Sequence, residues 1–122
     1  LVDLAKSRPG KLAYSSAGNG NGNHLATELF ANMAGVRLLH VPYKGGPPGL
    51  TGTMQGETAM MFANSTFAVA QVRNKRVRAI AVSTDQRLAL LPDVPTVRES
   101  GLKDFVVTTW FGVLAPARTP QP

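Results

Sequence analysis

Residues 11–35, KLAYSSAGNGNGNHLATELFANMAG, carry the clearest indication of the fold of this chain. The segment Lys11–Ser15 is typical of a short strand, and the glycine- and asparagine-rich segment Ser16–Gly22 predicts a loop. The segment Asn23–Ala34 predicts a helix, because its apolar side chains recur on one face: Leu25, Ala26, Leu29, Phe30 and Met33. The stretch is therefore expected to form a strand–loop–helix unit.

The ends of this helix carry capping signals. Asn21 or Asn23 is the expected N-cap, and Gly35 suits the left-handed position that follows a helix. Before the unit, Leu1–Ser7 has the spacing of a helix end. After it, the same alternation continues, with predicted strands at Val36–Val41, Thr58–Phe62, Val77–Val82 and Phe105–Leu114. Helices are predicted at Pro47–Gln55, from Asn64 or Ser65 to Arg73, and briefly at the capping box Thr96–Glu99.

Strands that alternate with helices of this length predict an α/β fold, with a mostly parallel sheet flanked by helices on both faces. Ligands of such sheets bind outside the carboxyl ends of the strands. We therefore expect the segments that follow the strands to share one edge: Ser16–Gly22, Pro42–Gly46, Ala63–Thr66, Ser83–Thr84 and Thr109–Phe111.

The composition is that of one globular domain. The chain has 122 residues, of which 43% are hydrophobic and 16% are charged, and this length suffices to bury a core. There is no cysteine, which excludes disulfides, cysteine-based zinc sites and thiol catalysis. No run of 18 apolar residues is present, so no membrane span is predicted.

The formal net charge of +6 raises the question of an anionic partner. Most basic residues are scattered, and only Arg73, Lys75, Arg76 and Arg78 cluster, at the end of a predicted helix where the dipole favours cations. No aromatic residues interleave with them to stack on bases. The sequence therefore does not favour a nucleic-acid partner. A basic interaction module that uses this cluster remains an alternative.

The loop Gly18–Gly22 is a candidate anion site. Glycines between a strand and a helix allow backbone N–H groups to face a ligand at the helix N-terminus. The glycine spacing fits neither a dinucleotide fingerprint nor a phosphate loop of NTPases. The alternative is a flexible turn without a ligand.

Two further candidates follow later strands. Tyr43 could contact a ligand with its hydroxyl and its aromatic ring, and Lys44 could supply a positive charge. The alternative is that Tyr43 is simply packed and Lys44 simply solvated. Asn64 can donate and accept hydrogen bonds, and Ser65 can cap a helix, which is also the alternative to a ligand role.

Catalytic and metal chemistry find little support. His24 and His40 have no acidic partner at ligand spacing, and a structural or surface role is expected for both. There is no G-x-S-x-G elbow, and no pair of carboxylates follows the strands. No metal site, cofactor or catalytic residue is predicted. A small α/β enzyme acting on an anionic substrate, with His24 as the base, remains the alternative.

Several motifs together resemble one family, the Bug-type (TctC-like) extracytoplasmic solute receptors of tripartite tricarboxylate transporters. They occur in order along almost the whole chain: Pro9–Tyr14, Ser16–Gly20, His24–Ala26, Met33–Val36, His40–Gly45, Met61–Phe62, Arg78–Val82, Leu91–Val97, Trp110–Gly112 and Ala115–Pro120. The segments VPYKG, LPDVPTV and WFG are the most specific of them.

The resemblance implies a non-enzymatic lobe of a longer receptor. Residues 1–122 resemble the second α/β lobe of a type II periplasmic-binding fold, with hinge segments near residues 1–3 and 113–122. The implied partners are a small organic carboxylate, the first lobe of the same receptor and membrane transporter subunits. The parent protein is expected in the periplasm of a Gram-negative bacterium, with its signal peptide outside this chain. The isolated lobe is expected to bind weakly and to self-associate.

The resemblance also implies a ligand site. Its anion loop is Ser16, Gly18, Asn19, Gly20 and Asn21, its second contact is Asn64 with Ser65, and Tyr43 is a candidate wall. Relatives carry a small hydroxyl residue near Asn21 and in many cases Asp in place of Ala63. The missing Asp removes an acceptor for an amino group, which favours a plain carboxylate over an amino acid.

Overall fold

The computed structural model describes residues 1–109 and 112–119. Within them the regular elements follow one another as α1 (Val2–Ser7), β1 (Ala13–Ser16), α2 (Gly22–Ala34), β2 (Leu39–Pro42), α3 (Gly46–Gln55), β3 (Met60–Met61) and α4 (Ser65–Arg73). The strand–loop–helix unit predicted from residues 11–35 is confirmed. No helix in this part of the chain combines the length and apolarity that a membrane crossing requires.

The strands form a parallel sheet with the order β2-β1-β3. Ser16 pairs with Pro42 at the end of β2, and Ser15 pairs with Met61 at the end of β3. Since all the strands run in the same direction, their carboxyl ends share one edge, which we call the carboxyl edge. The predicted α/β fold with a parallel sheet is confirmed.

Helices cover both faces of the sheet. The hydroxyl of Tyr14 donates to Glu28 of α2, at 2.6 Å, whereas the hydroxyl of Ser15 lies 2.8 Å from that of Thr53 of α3. Consecutive strand residues point to opposite faces. The helices α2 and α3 therefore pack on opposite sides of β1.

The ends of α2 and α3 are fixed by local signals. The side chain of Asn21 accepts a hydrogen bond from the N–H of Asn23, which makes Asn21 the N-cap. Gly35 and Gly56 close α2 and α3 in the left-handed region, with φ of 62° and 82°. An L side chain is strained there, which explains glycine at both positions.

A small residue lets α3 approach the sheet closely. A Cβ atom on Gly49 would lie 3.2 Å from the backbone oxygen of Ser16 and 3.3 Å from the side chain of Met61. The backbone oxygen belongs to the central strand and cannot move aside easily. Glycine at this position therefore brings the first turn of α3 close to the end of β1.

The later strand predictions are wrong. In Val77–Val82 only Val82 makes a β-bridge, with Thr96, and no strand occurs in the described part of Phe105–Leu114. The N–H and carbonyl of Val82 are occupied by Pro95 and Val97, while β3 is only two residues long and offers a short edge for pairing. The strand predicted at Val36–Val41 begins only at Leu39 and ends one residue later than predicted, at Pro42, and the strand predicted at Thr58–Phe62 is confirmed only at Met60–Met61.

The capping box at residues 96–99 is confirmed, but it opens a turn and not a helix. The N–H of Thr96 donates to the Glu99 carboxylate at 2.7 Å, and the N–H of Glu99 donates to the Thr96 hydroxyl at 3.0 Å. Gly101, with φ of 119°, ends the turn after one rotation, so the segment is too short to become a helix.

The core depends on residues from distant parts of the chain. Phe105 is fully buried, and its ring centroid lies 6.3 Å from that of Phe30 in α2 and 5.6 Å from that of Phe62 after β3. Ala5 of α1 and Val97 of the capping turn belong to the same cluster. An irregular segment therefore completes the core that the helices and sheet begin.

The basic cluster lies where it was predicted. The helix α4 ends at Arg73, and the clustered basic residues are all exposed at or beyond this end: Arg73, Lys75, Arg76 and Arg78. Positive side chains at this position interact favourably with the helix dipole.

Candidate functional site

The loops that follow the strands meet at the carboxyl edge. The N–H of Tyr43 donates to the carbonyl of Ser16 at 3.0 Å, and the N–H of Gly45 donates to that of Ala17 at 3.2 Å. The segments after β1 and β2 are thus brought together as predicted, and the bond from the side chain of Asn23 to that of Asn64 joins the segment after β3 to them. The prediction that Ser83–Thr84 follows a strand of this sheet is wrong, because Val82 before it makes only an isolated bridge. In Thr109–Phe111, residues 110 and 111 lie outside the described residues.

The loop after β1 is held by the buried hydroxyl of Ser16. It accepts a hydrogen bond from the N–H of Gly18 at 3.1 Å and lies 2.6 Å from Nε2 of His40. Gly18 and Gly20 have φ of 130° and 72°, which glycine adopts readily. The hydroxyl of Ser16 therefore shapes the loop from below, while Asn19, Gly20 and Asn21 are exposed.

Two histidines support this loop from the α2 face. Nδ1 of His24 accepts a hydrogen bond from the N–H of Gly20 at 3.0 Å. The rings of His24 and His40 are stacked, with centroids 4.0 Å apart and planes 6° apart, and Tyr14 stacks on His40 at 4.9 Å. Both histidines thus make structural contacts, as expected. Their pairing was not predicted, because nothing local in the sequence links residues 16 positions apart.

We expect the protein to lose stability in mild acid because of His40. Burial lowers the pKa of His40 below 6.5, and the neighbouring His24 lowers it further, against a smaller opposite effect of Glu28. Below pH 6.5 the unfolded chain takes up the proton first, so stability is full above pH 6.5 and falls as the pH decreases. Urea unfolding at pH 7.5 and 5.5 measures this difference.

The control for this prediction is His40→Gln, which keeps a hydrogen-bonding amide for the Ser16 hydroxyl but cannot titrate. The pH dependence of its urea midpoint should be weaker than in the wild-type protein. An equal dependence in both proteins would assign the acid sensitivity to other groups.

The helices α2, α3 and α4 begin at this edge, after the N-caps Asn21, Gly45 and Asn64. The side chain of Asn64 does not cap α4, and among the described residues the N–H groups of Ser65 and Thr66 have no acceptor. Both residues are exposed. Free N–H groups and the positive end of the helix dipole attract an anion.

The structure places Tyr43 differently from the other candidates. Its hydroxyl donates to the Glu57 carboxylate, which raises the pKa of the phenol. The ring lies over Gly52 of α3, where a Cβ atom would overlap it. The phenol therefore packs on α3 and bonds to Glu57 just after it. At the carboxyl edge, Tyr43 contributes its backbone N–H, which donates to Ser16. Lys44 is exposed.

Asn23 is the residue that sequence reasoning missed, since it was considered only as an N-cap. Its side chain is 8% exposed, and its amide nitrogen donates to the carbonyl of Phe62 and, at 3.0 Å, to Oδ1 of Asn64. These bonds tie the start of α2 to the end of β3. One signal was available, because Asn23 lies on the same helix face as the buried Ala26 and Phe30.

The edge is suited to holding an anion. Among the described residues, no group of three histidine, cysteine or acidic side chains is placed to hold a metal ion. The carboxylates of Glu28 and Glu57 accept hydrogen bonds from the hydroxyls of Tyr14 and Tyr43. What the edge offers is the N–H groups of the exposed Ser65 and Thr66 at the start of α4, together with small polar side chains, whereas Pro47 and Pro48 leave few donors at the start of α3. A parallel α/β unit of this kind is typical of solute-binding proteins.

Solved structures support this class. The chain superposes on the structure described as R. palustris Rpa4515 with adipate, with a TM-score of 0.93 and 34% identity over 98% of this chain and 40% of that one. A structure described as a periplasmic transporter gives 0.90 and 32%, over 98% and 40%. The periplasmic binding protein BugD gives 0.81 and 33%, over 87% and 36%. The fold is that of periplasmic binding proteins.

Sequence comparisons identify the family. The model described as tripartite tricarboxylate transporter family receptor matches residues 1–122. A protein encoded in the tcbD-tcbE intergenic region of Pseudomonas sp. (strain P51) is 44% identical over 99% of this chain and 36% of its own length. BugT of Bordetella pertussis is 34% identical over 98% and 36%. The chain belongs to the tripartite tricarboxylate transporter receptor family, and it spans just over a third of the length of these relatives.

Proposed function

We propose that this chain is one ligand-binding lobe of a two-lobe periplasmic receptor, which captures a small carboxylate and delivers it to a tripartite tricarboxylate-type transporter. The observation that carries the proposal is the convergence of the starts of α2, α3 and α4 on the carboxyl edge, with the free N–H groups of Ser65 and Thr66. Such donors stabilise a buried carboxylate without a cationic side chain.

The ligand is proposed to be a carboxylate on chemical grounds. The candidate residues are small and polar: the hydroxyl of Ser16 holds the loop after β1, and Gly18, Asn19, Gly20 and Asn21 form that loop. Asn64 and Ser65 provide the second contact, and Tyr43 borders the edge. Relatives were solved with adipate and, at 28% identity, with malate, both of which are dicarboxylates. The protein binds such a ligand without transforming it.

The other proposed partners are the first lobe of the receptor and the membrane transporter. A first lobe closes on the carboxyl edge, and the closed receptor contacts the membrane transporter subunits. Residues 1–3 and 113–122 serve as hinge segments. The receptor functions in the periplasm. The isolated lobe binds weakly and self-associates through the surfaces that its partner lobe would cover.

A thermal-shift screen of the complete receptor tests the proposal. The panel contains monocarboxylates, the dicarboxylates succinate, malate and adipate, and the tricarboxylate citrate. A ligand that binds the native state raises the unfolding midpoint by mass action, by an amount that grows with its concentration above Kd. We expect at least one acid to shift the complete receptor and to shift the isolated lobe much less. No shift with any acid would overturn the carboxylate assignment.

A further inference from the structure

We propose that Asn23 positions the side chain of Asn64 so that its NH₂ group faces the ligand, which makes this contact selective for a carboxylate oxygen over an ammonium group. The inference rests on the proposed function, since it specifies one contact of that site. Asn23 is a positioning residue and does not itself touch the ligand.

The orientation of both amides follows from one fixed acceptor. The carbonyl of Phe62 can only accept, so the atom of Asn23 that faces it must be the amide nitrogen. The same nitrogen lies 3.0 Å from the side chain of Asn64. The atom that Asn64 turns toward Asn23 must therefore accept, which makes it Oδ1. A flipped Asn64 amide would place two NH₂ groups against each other.

The NH₂ group of Asn64 is left as the available end of this side chain. It has no hydrogen-bond partner among the described residues, where Gln71 Oε1 is the sole buried side-chain polar atom without one. The NH₂ group is therefore reachable from solvent. The free N–H groups of Ser65 and Thr66 follow directly in the chain, so Asn64 extends this set of donors.

An asparagine amide that is held in one orientation can distinguish a carboxylate from an ammonium group, whereas an amide that is free to flip cannot. An asparagine that can flip serves a carboxylate with its NH₂ group and an ammonium group with its oxygen. Here the oxygen is occupied by Asn23, and Ala63 next to it has no acceptor on its side chain. An amino group that faces the NH₂ group of Asn64 would meet a donor and not an acceptor. Its N–H groups would lose their partners in water without replacement, which is unfavourable.

The test compares dicarboxylates with their amino analogues by calorimetry on the complete receptor. Succinate and malate are paired with aspartate, and adipate with 2-aminoadipate. Asn64→Asp keeps the acceptor for Asn23 but turns a second acceptor toward the ligand. We expect the affinity for the dicarboxylate to fall about 10- to 100-fold, and the preference over the amino analogue to shrink or reverse.

Asn23→Ala separates positioning from stability, with exposed Asn32→Ala on the same helix as the matched control. Freed from Asn23, the Asn64 amide can flip, so the ratio of dicarboxylate to amino-analogue affinity should fall. Asn32→Ala should leave this ratio unchanged. A purely structural role of Asn23 would weaken both ligands equally and leave the ratio unchanged, which would overturn the inference.

The side-chain amide signals of Asn64 provide a second readout. In ¹⁵N-asparagine-labelled wild-type receptor, the dicarboxylate should shift the Asn64 NH₂ pair, and Asn23→Ala should change this response. If the wild-type receptor binds a dicarboxylate but Asn64→Asp keeps the wild-type preference, the inference fails while the proposed function stands. If the wild-type receptor binds no carboxylate, both fail.

Discussion

Replacing Phe105 by alanine is expected to lower the free energy of unfolding by about 3–5 kcal/mol, the usual cost of truncating a fully buried phenylalanine. Phe105 is 0% exposed, and its ring is edge-on to Phe30 and tilted against Phe62. Alanine would leave a cavity between α2, the end of β3 and the irregular segment that carries Phe105. The surrounding rings are held by separate elements, so they cannot fill the space without moving those elements.

Urea unfolding followed by circular dichroism measures this loss. Phe105→Leu is the matched control, because it keeps most of the apolar volume and should cost clearly less than alanine. Val106→Ala, at the exposed neighbour, should stay within about 0.5 kcal/mol of the wild-type protein. A cost below about 1 kcal/mol for Phe105→Ala would show that the irregular segment is not part of the cooperative core.

The second large effect is expected on ligand binding, from Ser65→Pro. Proline at the first residue of α4 removes one free N–H group and suits the helix, because its φ is already helical. Asn64 before it has φ of −66° and ψ of 138°, the extended conformation that a following proline requires. The helix should therefore persist while one donor of the proposed site is lost. We expect the affinity for the carboxylate to fall about 10- to 100-fold, the value of a hydrogen bond to a charged group.

Ser65→Ala is the matched control for this experiment. It removes the hydroxyl but keeps the backbone N–H, so a role of the N–H predicts a much smaller loss than Ser65→Pro. Calorimetry on the complete receptor gives the affinities, and thermal unfolding checks that both variants are folded. Equal affinities for Ser65→Pro and the wild-type receptor would remove the start of α4 from the proposed site.

The first half of the chain was predicted well because its signals are local. The helix α2 needs only its apolar spacing, the cap Asn21 and the left-handed Gly35, all within 15 residues. The helix α3 likewise has its prolines at the start and Gly56 at its end. Backbone preference and nearby hydrogen bonds decide such elements, so the sequence alone is sufficient to find them.

The second half was predicted less well, since its local pattern competes with tertiary contacts. Val77–Val82 has the composition of a strand. The N–H of Val82, however, donates to the carbonyl of Pro95, and its carbonyl accepts from the N–H of Val97. Phe105 begins an apolar segment that resembles a strand, but its ring is required in the core and its neighbours follow an irregular path. A strand needs the free edge of another strand to pair with, and the residues of a segment do not indicate whether such an edge is available.

For the candidate site, sequence patterns were sufficient to predict which loops follow β1, β2 and β3 and which small polar residues they carry. A parallel sheet then brings those loops to one edge, whatever the details of packing. The orientation of the side chains, in contrast, depends on tertiary packing. Asn23 and Asn64 are 41 positions apart, and His24 and His40 are 16 apart, yet each pair is in contact. Such contacts depend on how helices settle on the sheet, because hydrogen bonds and ring stacking act only over a few ångströms.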